Sequence, residues 1–281
     1  AQLRVSPVGL TLREGPSREG GSGSADSAAG ARGGGPPSPS SRAGLVFSEV
    51  TYSMSSSSSS ESVTSFSLDF STYNSNKDKA ESLLQSLPGN NHRTVQADLS
   101  SSEEIGAMFD AIDEIDIVIN NAAVVESHEL DSLSYDKWQD MWKRTIDTNL
   151  LGSAHIMYLA SKIMKHNKGG KFINISSRGA FRGEPTAPAY GASKAGLNSL
   201  GQSMAKALAK DKIYVYTIAP GFVDTERVKD LIDDEVRSQS PLNRVAKPQE
   251  IADTALWLAT GDNEFLTGCI IDVNGASYLR S

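Results

Sequence analysis

The stretch from Ser177 to Lys194 reads Ser-Arg-Gly-Ala-Phe-Arg-Gly-Glu-Pro-Thr-Ala-Pro-Ala-Tyr-Gly-Ala-Ser-Lys. Tyr190 and Lys194 stand four residues apart, so a helix that begins near Ala189 places them on one face, one turn apart. A phenol, with a pKa near ~10, transfers protons poorly at neutral pH. A neighbouring ammonium group favours the phenolate and lowers the pKa of the phenol.

Ser177 follows an apolar run over residues 171–176, which is typical of a buried strand. Its hydroxyl is therefore expected at the carboxyl end of that strand, where open α/β sheets hold their ligands. A hydroxyl donor, a tuned phenol and a cation together suit proton transfer to a carbonyl group that is being reduced. The alternative is that a Tyr-x-x-x-Lys spacing arises by chance, as it does in many helices.

Three further segments accompany this stretch in a fixed order. Each follows an apolar run or lies within a long helical pattern, and each carries polar or turn-forming residues. They are Asn120-Asn121-Ala122-Ala123 after residues 115–119, Thr148-Asn149-Leu150-Leu151-Gly152 inside the helical pattern of residues 135–165, and Pro220-Gly221-Phe222-Val223-Asp224-Thr225 after residues 213–218.

In order and spacing these motifs resemble the short-chain dehydrogenase/reductase family, from about residue 66 to the C-terminus. The counterparts are Asn-Asn-Ala-Gly, a Ser followed thirteen residues later by Tyr-x-x-x-Lys, and Pro-Gly-x-x-x-Thr. The resemblance implies an α/β fold with one doubly wound parallel sheet of the Rossmann type. It also implies hydride transfer between a nicotinamide cofactor and a carbonyl or alcohol substrate, because the family is one of oxidoreductases. The alternation of strand and helix patterns favours the same fold.

The resemblance also assigns roles to single residues. Ser177 would polarise the carbonyl, Tyr190 would donate the proton, Lys194 would tune the phenol and hold the ribose, and Asn149 would hold a water against Lys194. The expected cofactor contacts come from the segments that end strands or begin the Tyr190 helix. They are Asp98, Leu99, Asn120, Ala122, Tyr190, Lys194, Pro220, Gly221, Val223 and Thr225. No metal site is expected, since the four histidines show no ligand spacing.

The charge and the cysteine content of the chain limit which partners and which compartment are expected. A net charge of −7 without a basic block argues against binding to nucleic acid or to an anionic membrane. Cys269, the only cysteine, excludes an internal disulfide and fits a reducing compartment, so a cytoplasmic location is expected. Arg and Ser near the N-terminus leave organelle targeting open. The resemblance implies a homodimer or homotetramer formed through the helices of Asn149 and Tyr190.

The N-terminal part of the chain departs from the family. Residues 1–43 are rich in Gly, Ser and Pro and are predicted to be a disordered extension, with the Rossmann-type domain over residues 44–281. Residues 45–52 are predicted to fill the central slot of the sheet, parallel to residues 115–120, because an empty slot would leave backbone groups unpaired. No Thr-Gly-x-x-x-Gly-x-Gly loop follows them, and the Gly-rich residues 29–36 have the composition of a linker.

The missing phosphate loop leaves the function with more than one interpretation. One alternative is a cofactor-poor or catalytically impaired scaffold or interaction protein. Another is a serine hydrolase that uses Ser177, but no Gly-x-Ser-x-Gly surrounds it and no histidine follows His166. Between NADP(H) and NAD(H) the sequence favours NADP(H), because residues 71–74 supply no acid for the ribose 2′-hydroxyl and Asp69 comes too early.

Overall fold

The structure is a computed structural model, and it describes residues 2–6, 9–13, 42–47, 51–52, 66–86, 92–131 and 133–280. Within them, one seven-stranded sheet has only parallel neighbours, and helices alternate with its strands. The predicted fold class, a doubly wound parallel sheet, is therefore confirmed. The described strands are β1 (Gln2–Ser6), β2 (Gly9–Arg13), β3 (Arg42–Phe47), β4 (Thr51–Tyr52), β5 (Phe66–Tyr73), β6 (Arg93–Gln96), β7 (Ile117–Asn120), β8 (Gly170–Ile175), β9 (Ile213–Pro220) and β10 (Ile270–Val273).

Helices of the described chain begin where polar residues or prolines precede apolar residues at helical spacing. The Ser101 hydroxyl caps one of them by accepting the Glu104 N–H at 3.2 Å. A six-residue π-helix, Asp147–Gly152, joins two α-helices without a break. The α-helices are α1 (Lys77–Ser86), α2 (Ser102–Phe109), α3 (Tyr135–Ile146), α4 (Ser153–His166), α5 (Gly179–Arg182), α6 (Pro188–Leu208), α7 (Asp234–Ser238) and α8 (Pro248–Thr260).

The order of strands in the large sheet is β10-β9-β8-β7-β3-β5-β6. The chain runs from β3 outward through β5 and β6, and then returns to the other side of β3 and runs outward from β7 to β10. The direction of winding therefore reverses between β3 and β7, where Phe47 stands opposite Asn120. Ligands of open α/β sheets bind outside the carboxyl ends of the strands at such a reversal.

The central slot is filled by an upstream strand, but its limits differ from the prediction. The prediction placed residues 45–52 in the slot. In the structure β3 occupies it, pairing in parallel with β7 on one side and β5 on the other. Residues 51–52 leave the large sheet and pair with β2 instead. The strand thus begins three residues earlier and ends at Phe47.

The N-terminal residues include regular structure that the prediction of a disordered extension did not contain. β1 and β2 pair antiparallel, and β2 also pairs with β4 in a separate three-stranded sheet. Residues 14–41, which include the Gly-rich residues 29–36, lie outside the described residues, as does the Ser-rich segment 53–65. For those segments the extension and the missing phosphate loop stay predictions.

Two apolar layers bury the faces of the sheet. One layer joins α1 and α8 to the strands, through side chains such as Leu83, Ile251 and Leu258. The other joins α2, α4 and α6 to the opposite face, with Ile105 and Met157 at its centre. The strands β7 and β8 are buried along nearly their whole length because both of their faces are covered.

Small residues let α6 approach its neighbours closely. A Cβ atom on Gly201 would lie 3.0 Å from Thr217 Oγ1 and 3.1 Å from Asn174 Nδ2, so the helix backbone rests directly on β8 and β9. A Cβ on Gly196 would lie 2.8 Å from the Leu150 side chain. α6 is therefore held close to the sheet and to the π-helix, and it carries Tyr190 and Lys194 to the carboxyl edge.

Candidate active site

The residues predicted to be catalytic lie on three neighbouring elements. Ser177 follows the carboxyl end of β8, Tyr190 and Lys194 occupy the first turns of α6, and Asn149 lies in the π-helix. Two hydrogen bonds join the first two elements. Lys194 Nζ donates to the Ile175 carbonyl at 2.8 Å, and Ser176 Oγ donates to the Lys194 carbonyl at 3.3 Å.

Tyr190 and Lys194 share one face of α6, as the spacing predicted. Lys194 Nζ lies 5.8 Å from the centroid of the Tyr190 ring, and the lysine is only 2% exposed. Since its ammonium group is also hydrogen bonded to the end of β8, it cannot swing into solvent without losing that bond. The cation is thus fixed beside the phenol in a site largely shielded from water, where its electrostatic effect is strongest.

A second Tyr-x-x-x-Lys pair shows that spacing alone does not make this site. Tyr158 and Lys162 lie on α4 with the same separation, and Lys162 Nζ is 5.0 Å from the Tyr158 ring centroid. Tyr158, however, is 58% exposed. Solvent screens a pair of that kind, so burial against β8 distinguishes the pair on α6.

Ser177 is held in place by a turn of the backbone. Its Oγ accepts the Gly179 N–H at 3.0 Å, at the start of the short helix α5. This bond uses a lone pair of the hydroxyl oxygen and leaves its proton able to donate. Gly179 is required here because a Cβ would lie 2.3 Å from Glu184 Oε1. The Ser177 hydroxyl is thereby oriented as a donor at the edge of the sheet.

Asn149 is completely buried, and its amide joins two loops of the site. Its Oδ1 accepts the Val124 N–H at 2.8 Å, and its Nδ2 donates to the Val124 carbonyl at 2.9 Å and to Ser193 Oγ at 3.1 Å. Ser193 immediately precedes Lys194. The π-helix that carries Asn149 has a geometry that is rare and often found at functional sites. The side chain therefore ties the loop after β7 to α6 beside the lysine.

His128 was missed by the sequence reasoning, which tested the histidines only as metal ligands. It is 1% exposed, and its Nε2 accepts the Ala189 N–H at 3.0 Å. Because a backbone N–H can only donate, Nδ1 carries the proton and donates to the Glu126 carbonyl at 2.8 Å. The signal available in the sequence was weak, since His128 stands 61 residues before its partner.

The wall predicted to line the cofactor is built partly from paired amides. Asn120 Nδ2 donates to Asn174 Oδ1 at 2.9 Å, which links the carboxyl ends of β7 and β8. Both residues are buried, so the Asn120 side chain lies between the strands and bonds its neighbour there. Asn174 was also missed, although an Asn inside the apolar run of β8 was a visible signal.

The other predicted cofactor residues differ in whether a side chain or only a backbone group could contact a ligand. The Leu99 side chain is buried in the α2–α4 layer, the partly buried Ala122 packs against that layer, and the Val223 side chain packs against the α8 layer. These positions can present backbone groups rather than side chains to a ligand. Asp98 follows β6 at the edge of the sheet, where its Oδ1 accepts two hydrogen bonds from Ser100.

The loop after β9 is fixed on two sides. The Gly221 N–H donates to the Val273 carbonyl at 3.1 Å, and a Cβ on Gly221 would lie 3.1 Å from Asn274 Cα. Beyond Pro220, the Asp224 N–H donates to the Ala246 carbonyl at 2.8 Å. Thr225 then begins a 3₁₀-helix. The predicted Pro-Gly turn thus lies at the carboxyl end of β9, next to β8.

Three other features, namely a metal site, a reactive cysteine and a membrane-spanning helix, find no support in the described part of the chain. Among the described residues, no group of His, Cys, Asp and Glu side chains could hold a metal ion. Burial raises the pKa of the Cys269 thiol, which disfavours the nucleophilic thiolate. In the same part of the chain, no helix has the length and apolar character needed to cross a membrane.

Comparison with known proteins supports this arrangement. Residues 67–276 match the family model described as Enoyl-(Acyl carrier protein) reductase. The 3-oxoacyl-[acyl-carrier-protein] reductase FabG of Staphylococcus aureus is 31% identical over 216 residues, which cover 74% of this chain and 86% of the relative. The protein of the same name from Vibrio harveyi is 31% identical over 198 residues, 68% of this chain and 80% of the relative.

A solved structure agrees with these sequence matches. A protein described as a short chain dehydrogenase/reductase family protein superposes with a TM-score of 0.67 at 28% identity, covering 74% of this chain and 86% of that one. Fold and comparisons together define an oxidoreductase of the Rossmann class. The chain belongs to the short-chain dehydrogenase/reductase family, as its motifs predicted.

Proposed function

We propose that this protein transfers a hydride between a nicotinamide cofactor and a carbonyl or alcohol substrate. The observation that carries the proposal is the position of Lys194, whose ammonium group is buried between the Tyr190 ring and the end of β8. A fixed cation beside a phenol stabilises the phenolate that forms when the phenol gives up its proton. The family membership and the reductase names of the relatives point to the same reaction.

In this reaction Tyr190 donates the proton to the carbonyl oxygen, while the Ser177 hydroxyl donates a hydrogen bond to the same oxygen. Charge that develops on that oxygen is then stabilised by two donors. Lys194 stabilises the phenolate, and Asn149 holds the loop after β7 against α6. The bound nicotinamide would supply the hydride. On the reverse path Tyr190 accepts the proton of the alcohol.

The residues at the reversal of the sheet would hold the cofactor. The edge formed by Asp98, Asn120, Gly221 and Thr225 supports binding there, since these residues follow the carboxyl ends of neighbouring strands. We favour NADP(H) over NAD(H), because residues 71–74 at the end of β5 contain no acid for the ribose 2′-hydroxyl. The substrate would be a small carbonyl or alcohol, and the active form would be a homodimer or homotetramer.

A second function stays open because of one specific observation. Residues 48–65, which connect β3 to β5, contain no glycine, although the family places a Gly-rich phosphate loop there. A chain without that loop could keep the fold and the catalytic wall as a cofactor-poor scaffold. The test is nicotinamide fluorescence on mixing with NADPH and NADH, followed by turnover on a panel of aldehydes and ketones. Cofactor binding together with turnover supports the enzyme. If the protein shows neither binding nor turnover with NADPH or with NADH, the result supports the scaffold.

A further inference from the structure

A small cavity lies next to the proposed active site. It has a volume of about 60 Å³ and is enclosed by the residue after Ser177, the loop after β9, the loop after α7 and the segment after β10. We call it the Arg178 cavity, because Arg178 lines it together with Phe222, Arg244 and Ser277. The proposed hydride transfer assigns it no role.

Arg178 brings a buried positive charge to this cavity. The residue is 3% exposed, and its backbone is fixed because its N–H donates to the Pro220 carbonyl at 2.9 Å. Its guanidinium donates from Nη2 to Gln239 Oε1 and lies over the Phe222 ring, 5.1 Å from the centroid. An amide oxygen and a ring face bind a cation but carry no net charge. Neither partner therefore neutralises Arg178.

Among the residues whose side chains the structure describes, the acids near Arg178 are already matched to other arginines. Glu250 accepts two hydrogen bonds of 2.8 Å from Arg244. Glu184 lies 3.6 Å from Arg182. Burial, and then the charge of Arg182, lowers the pKa of the Arg178 guanidinium, with Glu184 acting in the opposite direction. A buried charge without a counterion is costly, so the cavity favours an anion beside Arg178.

A second polar residue, Ser277, lines the same cavity. The Ser277 hydroxyl is buried, and among the described residues it has no hydrogen-bond partner. The other serine of the cavity differs, since Ser240 donates to the Gly275 carbonyl at 2.6 Å and accepts the Leu242 N–H at 3.2 Å. Buried polar atoms without a partner are rare in native proteins, and a bound group is one cause.

We propose that the Arg178 cavity binds the carboxylate end of the substrate. Arg178 would contribute the charge and a planar set of donors, and Ser277 would contribute a hydroxyl donor. A carboxylate presents two acceptor oxygens in one plane, which match the planar guanidinium. Because Arg178 follows Ser177 directly in the chain, we take as substrate a short oxo acid that would bring its carboxylate to Arg178 and its carbonyl to Ser177. This substrate class rests on the proposed function, whereas binding of the anion does not.

The first test measures anion binding without turnover. The full chain is titrated with acetate and, separately, with inorganic phosphate, and the thermal midpoint is followed. Acetate should raise the thermal midpoint of the wild type, and both Arg178→Gln and Ser277→Ala should reduce that rise. For Arg178→Gln the affinity for acetate should fall roughly tenfold. Arg144→Gln is the matched control, because Arg144 pairs with Glu126 and does not line the cavity, and its response should equal that of the wild type.

Three results would overturn the site. These are no response of the wild type to acetate, an Arg178→Gln response equal to that of the wild type, or a loss of response in Arg144→Gln as large as in Arg178→Gln. A stronger response to phosphate than to acetate would identify a phosphate site and overturn the carboxylate. Ser277→Ala keeps the test decisive if Arg178→Gln does not fold, because it removes only a hydroxyl without a partner.

The second test measures turnover on a series of short oxo acids, in which the carbonyl lies progressively further from the carboxylate, each paired with its methyl ester. The wild type should prefer at least one acid over its ester through a lower KM. Arg178→Gln should reduce that preference roughly tenfold. An unchanged preference contradicts the substrate class. Acetate binding without turnover on any carbonyl would contradict the proposed function instead and leave the anion site standing.

Discussion

His128 accepts a hydrogen bond at 3.0 Å from the backbone N–H of Ala189, the residue directly before Tyr190. This N–H belongs to the first turn of α6, where such groups have no partner within the helix. The residue at the cap position, Ala187, makes no side-chain bond to the helix. A buried histidine from the loop after β7 therefore accepts the hydrogen bond that an N-cap side chain would normally accept. It fixes the turn that carries the proposed proton donor.

Two variants of His128 should separate this role from packing. Gln places an acceptor near the position of Nε2, whereas Asn places polar atoms only near Nδ1. We expect His128→Gln to keep most of the turnover, and His128→Asn to lower kcat more than it raises KM. Both should lose about 1 kcal/mol of stability or less. Steady-state kinetics and thermal midpoints check this, and equal kcat values in the two variants would contradict it.

Replacement of Tyr190 by Phe should abolish turnover and leave the fold intact, since only a hydroxyl is removed. Tyr158→Phe is the matched control, because Tyr158 also has a lysine four residues later but is exposed on α4. Turnover on any carbonyl that the wild type reduces, together with circular dichroism, measures the effect. If Tyr190→Phe retains wild-type turnover, Tyr190 is not the proton donor.

Gly152 should tolerate no side chain. It ends the π-helix, and a Cβ on it would lie 2.3 Å from the Leu99 carbonyl oxygen, which is backbone and cannot move aside easily. We expect Gly152→Ala to cost about 1–3 kcal/mol and to displace Asn149. The control is Gly106→Ala in α2, where nothing lies within 4 Å of an added Cβ. That change should stabilise the protein by about 0.5–1 kcal/mol. Urea unfolding measures the change in the free energy of unfolding for each variant. If the two changes have the same sign, the prediction is refuted.

Cofactor binding should be weak. A Gly-rich loop and a helix N-terminus normally hold the pyrophosphate, and the sequence between β3 and β5 offers serines in their place. Serine hydroxyls can bind phosphate, but they bring no helix dipole. We expect affinity ten- to hundredfold lower than with an intact loop, about 1.4–2.8 kcal/mol. Calorimetric titration with NADPH and NADH measures it, and a sub-micromolar dissociation constant would show that another cradle exists.

Glu250 should contribute stability that disappears in acid. Its two hydrogen bonds from Arg244 are the main reason that the pKa of its carboxyl falls from 4.5 to about 2. Because the folded-state pKa is depressed, the stabilisation is present above about pH 4.5 and is lost as pH falls toward 2. The side chain is 39% exposed, so we expect at most about 1 kcal/mol.

Unfolding of wild type and Glu250→Gln at several pH values tests this contribution. The stability difference should be constant near neutrality and shrink below about pH 4.5. Glu81→Gln, which removes an exposed pair with Lys77 on α1, should show a smaller difference. A difference for Glu250→Gln that does not change with pH would show that packing, rather than charge, is responsible.

The alternation of strands and helices could be predicted from the sequence alone, because buried parallel strands and amphipathic helices leave different apolar periods. The residues of the proposed catalytic group could be predicted too, because Tyr190, Lys194 and Ser177 lie close together in the chain around one strand end. Such features depend on local spacing and on the register of adjacent strands, which a sequence carries directly.

Which groups are buried against one another depends on tertiary packing, and the spacing of residues in the chain does not reveal it. Tyr190 and Tyr158 have the same spacing to a lysine, and the contact of Lys194 with β8 separates them. Nothing in the sequence indicates that His128 pairs with Ala189, or that Arg178 and Ser277 line one cavity. These contacts join residues far apart in the chain, and packing of loops at the carboxyl edge of the sheet fixes them. The end of β3 also differs from the prediction, since the strand ends at Phe47 whereas strand periodicity alone extended it to residue 52.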